Sequence, residues 1–396
     1  MNDTPGVVPA PEGGLWVWIP EDWALERANP DAPEGYQDWL RARRPEWANL
    51  SLSPASPGWV SLPLDGQGPR NPSRPSKDFS DLRALTIDPA VNNAWRLCHG
   101  VADGYEGLTV DCLGDFLLAQ APRAMTSRDR KRVESLGRRV QVLGVYWKRL
   151  DRRVRDVAQV DASPRLVLGD PPEGELEIIE NGLRYGIRFD EGYSIGLFLD
   201  QRENRRRALH GYVAPRWERA AATDSSPTFL NGFAYTCGFS VAAAAGGMRT
   251  TSVDLSKRYL EWGRENMRRN GLNPDEHDFL YGDVFDWLVR FRRQGRRFDW
   301  VALDPPTFSK SKKTGVFRVE RDMERLVGLG LDLLPPGGTL LFSCNTQRLG
   351  ASTFYRRIHQ AHGAVLSRLY FVGQPMDFPV TPQAPGHLKC LWMRKR

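Results

Sequence analysis

The chain has 396 residues, 41% of them hydrophobic, and a formal net charge of +7. That length excludes one small domain and leaves room for two or three separate cores. No apolar run approaches the roughly 18–20 residues needed to span a bilayer, and residues 1–20 lack a basic segment followed by an unbroken apolar stretch. A cytoplasmic protein with no membrane partner is therefore expected.

The five cysteines (Cys98, Cys112, Cys237, Cys344, Cys390) form no Cys-x-x-Cys pair. They read as reduced thiols, with no metal site. Charge is unevenly spread. Residues 1–75 hold ten acidic and six basic residues, a net of −4, so the remainder carries +11. The basic remainder is the candidate polyanion binder.

Residues 1–83 contain thirteen of the 29 prolines and six tryptophans, with no sustained period of two or 3.6. Proline at that density opposes both ladders and helices. This segment is expected to be a partly disordered leader whose tryptophans dock on the body. Acidic surroundings disfavour nucleic-acid stacking there.

Residues 84–190 read as a central α+β domain. Short β-rich runs, Gly107-Leu108-Thr109-Val110-Asp111 and Phe116-Leu117-Leu118-Ala119-Gln120, precede a helix-like stretch. Between Arg123 and Arg155 twelve Lys or Arg stand against three acids. Such a stretch is either a solvated helix face or a surface that tracks RNA phosphates without reading sequence. Two alternating runs flanking Glu180-Asn181-Gly182 predict a hairpin, because Asn-Gly takes the positive φ angles of a type I′ turn cheaply.

From residue 191 to 396, apolar strands alternate with amphipathic helices. Strands are expected at 228–231, 251–254, 277–281, 300–304 and 338–343. Helices are expected from Ser240, over 257–270 and 284–293, and over 323–334. That spacing predicts an α/β, Rossmann-like, doubly wound parallel sheet. Ligands bind such sheets at the carboxyl ends of the strands.

Those ends carry Asn231-Gly232, Asp254, Asp283 and Asp304. An acid ending the second strand suits both ribose hydroxyls of a nucleoside cofactor. The loop Phe233-Ala234-Tyr235-Thr236-Cys237-Gly238-Phe239 has no GxGxxG to cradle a pyrophosphate, which leaves a sulfonium cofactor, S-adenosylmethionine. Each acid read alone is equally a helix cap. Asp304-Pro305-Pro306 forbids a helix directly after its strand and makes a rigid, donor-poor turn. Such a turn can present Asp304 and backbone carbonyls to a flat base. Lys310, Lys312 and Lys313 follow, as phosphate contacts or a solvated loop. Cys344 ends the last predicted strand. It is either a thiolate that adds to C6 of a pyrimidine or a small buried apolar residue.

At these residues the chain resembles the S-adenosylmethionine-dependent 23S ribosomal RNA methyltransferases of the large-subunit methyltransferase I and K/L type. The likeness starts at Arg96-Leu97-Cys98-His99-Gly100-Val101-Ala102-Asp103-Gly104. It continues through Gly196-Leu197-Phe198-Leu199-Asp200-Gln201-Arg202-Glu203-Asn204-Arg205 and Leu303-Asp304-Pro305-Pro306-Thr307-Phe308-Ser309, and ends at His387-Leu388-Lys389. About 300 residues are covered.

The resemblance implies a class I methyltransferase domain that binds S-adenosyl-L-methionine. The implied cofactor contacts are Asp200, Arg202, Asn231, Gly232, Phe233, Tyr235, Gly238, Asp254, Leu255, Asp283, Val284 and Asp304. Catalysis would fall to Cys344 and Asp304, and base binding to Pro305, Pro306, Phe308 and Asn345. RNA, ribosomal in this family, is the implied partner, and a homodimer is compatible with the likeness.

The chain also departs from the pattern. Cytosine-5 members open with an RNA-binding PUA domain that residues 1–83 do not resemble, so RNA capture would rest on the central basic region. The family's Gly-Gln-Lys-Thr-Gly stands here as Gly192-Tyr193-Ser194-Ile195-Gly196. Asp-Pro-Pro-Thr-Phe-Ser resembles the guanine-nitrogen branch, whereas Ser343-Cys344-Asn345 resembles pyrimidine C5 enzymes. The expected reaction is methylation of an RNA base, at cytosine C5 through Cys344 or at a guanine nitrogen with Cys344 only packing. A non-catalytic RNA-binding or ribosome-assembly factor is the remaining alternative.

Overall fold

The computed structural model describes residues 91–150, 163–191, 194–214, 217–218, 226–311, 315–375, 377–378 and 386–396. It also gives the backbone of three strands nearer the start, β1 (Val7–Pro9), β2 (Leu15–Ile19) and β3 (Gly58–Leu62). These pair antiparallel in the order β1-β2-β3, with Trp18 opposite Trp59. The proline-rich pattern of this stretch gives no hint of a ladder. The strands are short: β1 ends on Pro9, and no proline falls within β2 or β3. Trp23, Trp39 and Trp47 lie outside the described residues, as do Arg152, Arg153 and Arg155 of the basic stretch.

The chain divides into two compact units. One extends to Arg202 and takes back Pro375–Pro385; the other comprises Glu203–Gln374 and Gly386–Arg396. The first is built on β4 (Ala94–His99), β5 (Thr109–Leu113), β6 (Phe116–Ala121), β7 (Gly144–Arg149) and β8 (Arg165–Gly169), which form one sheet in that spatial order. Only β6 and β7 run parallel, and α1 (Ser127–Val140) makes the crossover between them. Val133 and Leu136 of α1 are buried with Val110, Leu117, Ala119 and Val145 of the sheet.

A capping box starts α1. Thr126 accepts from the Asp129 N–H, and Asp129 returns the bond to the Thr126 N–H at 2.8 Å. The predicted hairpin is present as β9 (Leu176–Glu180) and β10 (Leu183–Ile187). Asn181 and Gly182 both take positive φ, 53° and 77°, as a type I′ turn requires.

The same unit contains a buried charge cluster. Arg202 donates to both carboxylate oxygens of Asp377, at 2.5 and 3.1 Å, and Asp377 has no exposed surface. The Arg96 backbone N–H also donates to Asp377, at 2.9 Å, while its guanidinium takes Asp111 at 2.5 Å. Burial pushes the Asp111 carboxyl up, and the Arg96 charge opposes that rise.

α2 (Arg202–His210), whose first residue is the last of the other unit, leads through the short strands β11 (Tyr212–Ala214) and β12 (Trp217–Glu218) to the main sheet of the second unit. Its strands are β13 (Thr228–Gly232), β14 (Arg249–Asp254), β15 (Asp278–Tyr281), β16 (Trp300–Leu303), β19 (Thr339–Asn345), β20 (Leu366–Val372) and β21 (Leu388–Lys395). They lie in the order β15-β14-β13-β16-β19-β21-β20. The first five are parallel, and β21 enters antiparallel between β19 and β20.

The helices α3 (Gly238–Ala245), α4 (Lys257–Arg269), α5 (Val284–Arg293), α6 (Val319–Asp332) and α7 (Ala351–His362) complete the unit. The expected doubly wound α/β fold is therefore present. Helix α7 and strands β20 and β21 go beyond the expected pattern, as do two features after β16. The hairpin β17 (Phe308–Ser311) and β18 (Gly315–Arg318) follows Asp304-Pro305-Pro306-Thr307, and α6 begins at Val319. No helix among the described residues is long and apolar enough to cross a membrane.

Candidate active site

The strand order reverses between β13 and its neighbours β14 and β16, and a crevice opens at such a switch point. Asp254 stands at the carboxyl end of β14. Its two carboxylate oxygens accept the Tyr235 and Ser256 N–H groups, each at 2.8 Å. Burial raises its pKa, and the backbone N–H groups of Tyr235, Ser256 and Leu255 oppose that rise. A carboxylate has about four lone-pair sites, so with three backbone N–H groups on it acceptor capacity remains for a hydroxyl.

The loop after β13 is held in an unusual conformation. Phe233, Tyr235 and Cys237, none of them glycine, have φ of 61°, 51° and 64°. Non-glycine residues rarely adopt such angles, and each costs of order 1–3 kcal/mol. The loop is fixed by Ala234 N–H on the Val253 carbonyl at 3.0 Å and by Asn266 on the Thr236 carbonyl at 3.1 Å. Asn231 reaches Ser240 at 2.9 Å and so fixes the start of α3. Gly232 is required by close packing, since a Cβ there would stand 2.7 Å from Leu303 Cδ2. The positive-φ run is invisible in the amino-acid pattern.

Asp283 caps α5 by accepting the Phe285 N–H at 2.9 Å, with Val284 buried behind it. Asp254 and Tyr281 are register partners at the ends of β14 and β15. Leu255 and Tyr281 are 43% and 54% exposed, large apolar surfaces flanking those ends. Hydroxyl acceptors, two apolar faces and no phosphate cradle form a donor set that fits a nucleoside sulfonium.

The second half of the site is built on β16 and β19, which are parallel neighbours. Asp304 is half-buried, Pro305 buried, and Pro306, Phe308 and Asn345 exposed. The Arg318 guanidinium lies 5.7 Å from the centre of the Phe308 ring. Thr307 Oγ1 donates to the Asn345 carbonyl at 2.7 Å, so the two motifs read separately in the sequence form one ridge. The side chain of Lys310, and Lys312 and Lys313 altogether, lie outside the described residues.

Cys344 has no exposed surface and belongs to the main apolar core of its unit. Burial pushes its thiol up to about 11; the Lys389 charge and the Thr346 N–H pull it down, while Glu320 and Asp304 push it up. Lys389, Thr346 and Glu320 are site neighbours that motif reading missed. The available signal was one lysine inside the apolar run Leu388-Lys389-Cys390-Leu391-Trp392.

A family model described as S-adenosylmethionine-dependent methyltransferase matches residues 127–394. The chain belongs to this family. Among curated relatives of this methyltransferase are two proteins named ribosomal RNA large subunit methyltransferase I. The one from Klebsiella pneumoniae (strain 342) is 35% identical over 257 residues, 64% of this chain and 60% of the relative. The one from Aeromonas salmonicida (strain A449) is 32% identical over 322 residues, 78% of this chain and 77% of the relative. The chain thus spans less than two thirds of the Klebsiella relative's length.

Among solved structures, a methyltransferase complexed with SAH superposes with a TM-score of 0.67 at 30% identity, over 80% of this chain and 79% of that one. An S-adenosylmethionine-dependent methyltransferase from Streptococcus mutans gives a TM-score of 0.66 at 28% identity, over 81% and 79%. The cofactor of the family, S-adenosylmethionine, is the one that the acid-tipped strands suit.

The second unit brings together Asn231, Gly232, Phe233, Tyr235, Gly238, Asp254, Leu255, Asp283, Val284, Asp304, Pro305, Pro306, Phe308, Cys344 and Asn345. Asp200 and Arg202 belong to the other unit. There Asp200 lies in a 3-10 turn (Leu199–Gln201), and Arg202 has both terminal nitrogens on Asp377. Gly192 and Tyr193 of the altered glycine stretch lie outside the described residues.

Proposed function

We propose that the protein methylates a base of large-subunit ribosomal RNA, using S-adenosylmethionine. The observation that carries this reading is the Thr307–Asn345 bond, which joins the Asp304-Pro305-Pro306 turn to Ser343-Cys344-Asn345 beside the cofactor-type strand ends. The relatives' names supply the RNA class. The exposed residues Arg128, Lys131 and Arg138 of α1 supply positive charge of the kind that holds phosphates. Sites of this type take an unstacked or flipped base.

The target atom we assign is C5 of a cytosine. The Cys344 thiolate forms a bond to C6, and the displaced electron pair makes C5 nucleophilic. The bound cofactor supplies an electrophilic methyl group. Loss of the C5 proton to solvent or a basic side chain and cleavage of the C6–S bond then restore the ring and the thiolate. Asp304 hydrogen-bonds the base edge, and Phe308 offers it a face.

One observation favours a second reading. Cys344 is fully buried with a thiol held near 11, which suits a residue that only packs while Asp304 and the proline carbonyls present a guanine nitrogen. Nucleoside mass spectrometry of 23S ribosomal RNA from cells with and without the gene decides between them. A missing 5-methylcytidine supports the first reading, a missing methylguanosine the second, and no missing methylated base refutes both. Cys344→Ala should abolish methylation and the covalent trapping of RNA containing 5-fluorocytidine. Full activity in that variant refutes the cysteine route.

A further inference from the structure

Lys389 is an ammonium buried to 2% exposure near the start of β21, where a charge costs several kcal/mol unless it is paired. Its position explains what it pairs with. β21 runs antiparallel to β19 with Lys389 and Cys344 as register partners, and directly opposite residues of such a pair have Cβ atoms about 4.5–5.5 Å apart. Lys389 Nζ donates to the Thr346 carbonyl at 2.5 Å. Thr346 in turn donates its hydroxyl to Glu320 Oε1 at 3.1 Å. Thr346 thereby fastens the backbone just beyond Cys344 to both β21 and α6.

We propose that Lys389 is a positioning residue for methyl transfer: it holds the Cys344-Asn345-Thr346 turn through the Thr346 carbonyl and sets a positive charge against the Cys344 sulfur. The charged and titratable groups acting on this pair are Glu320 on α6, Asp304 at the end of β16 and Cys390 on β21. Asp304 and Glu320 disfavour a thiolate, and Lys389 is the cation that opposes them. Burial lowers the Lys389 pKa, which brings loss of its charge closer to working pH.

The inference rests on the cytosine-5 reading for its consequence in catalysis, but the two fail separately. The thiol is titrated by thiolate absorbance as the difference between a protein and its Cys344→Ser counterpart. With Lys389→Met the thiolate fraction, read at a fixed pH low enough for Lys389 to keep its charge, should fall about tenfold or more, while S-adenosylhomocysteine affinity is unchanged. An identical thiolate fraction at that pH in wild type and Lys389→Met overturns the inference whatever atom is methylated.

Lys389→Arg keeps the charge should the methionine variant fold poorly. Single-turnover methylation of a 23S transcript should fall at high pH in the wild type, as Lys389 loses its proton. That falling limb should vanish in Lys389→Arg, because a guanidinium stays protonated. A limb that persists unchanged in Lys389→Arg overturns the inference. Full activity of Cys344→Ala refutes the cysteine route alone, and the thiolate fraction then decides whether Lys389 acts on the sulfur.

Discussion

Thr307 and Asn345 are joined by a side-chain to backbone bond of 2.7 Å that bridges the ends of two neighbouring strands. The bond fixes how far apart the proline turn and the exposed Asn345 stand. Thr307→Val keeps the shape and removes the donor. An ordinary hydrogen bond contributes about 1 kcal/mol, so the variant should melt close to wild type. Its single-turnover rate should fall about fivefold or more, and its S-adenosylhomocysteine affinity should hold. An unchanged rate would show that the ridge is not part of the base site.

Asp254 tests the cofactor half alone. Hydrogen bonds to a charged group contribute about 1.5–3 kcal/mol. Asp254→Ala should therefore weaken S-adenosylhomocysteine binding by about tenfold to a hundredfold in calorimetric titration, a range that follows from those energies. Wild-type affinity would remove Asp254 from the ribose site.

The Arg202–Asp377 pair makes a stability prediction for the other unit. Removing one partner of a buried pair leaves an uncompensated charge and costs about 3–5 kcal/mol. Asp377→Ala removes both acceptor oxygens from the Arg202 guanidinium and also the acceptor of the Arg96 N–H. Urea unfolding should show a loss in that range, whereas a loss below about 1 kcal/mol, the scale of an exposed pair, would mean water replaces the carboxylate.

Asp129 gives a pH prediction. The Arg123 guanidinium, with help from Thr126, holds its carboxyl down at about 2. A carboxyl depressed in the folded state contributes stability above its unfolded value, about 3.9, and loses that contribution as pH falls toward its folded value. The contribution should be about 1 kcal/mol, typical of a helix cap. Between pH values of about 4 and 2, wild type should lose that much more stability than Asp129→Asn. Parallel urea curves for the two proteins across that window would disprove it.

What could be read from the sequence divides by the range of the interaction. The Asn181-Gly182 hairpin and the parallel strands were legible because turn chemistry and strand period act over a few residues. The acids at the strand ends were legible because a doubly wound sheet puts them on one edge. The β20–β21 pair was not, since Lys389 and Cys390 gain their meaning from partners on β19. Nor was the Arg202–Asp377 clasp, whose members are 175 positions apart. Phe233, Tyr235 and Cys237 hid their positive φ because none is a glycine, and the loop is held by bonds to Val253 and Asn266.

The placement of β21 between β19 and β20 has a consequence for timing. As the chain emerges during synthesis, β13, β14, β15, β16 and β19 can pair in a row, yet the slot beside Cys344 stays unfilled until residues 388–395 arrive. A late strand that must enter between two earlier ones is a long-range closure, the slow kind of step in folding. The half of the sheet that suits the cofactor can therefore assemble first, and the half that carries Cys344 is locked only when Lys389 slides into register. The strand ends that suit the cofactor would then form before the end of β19 is locked.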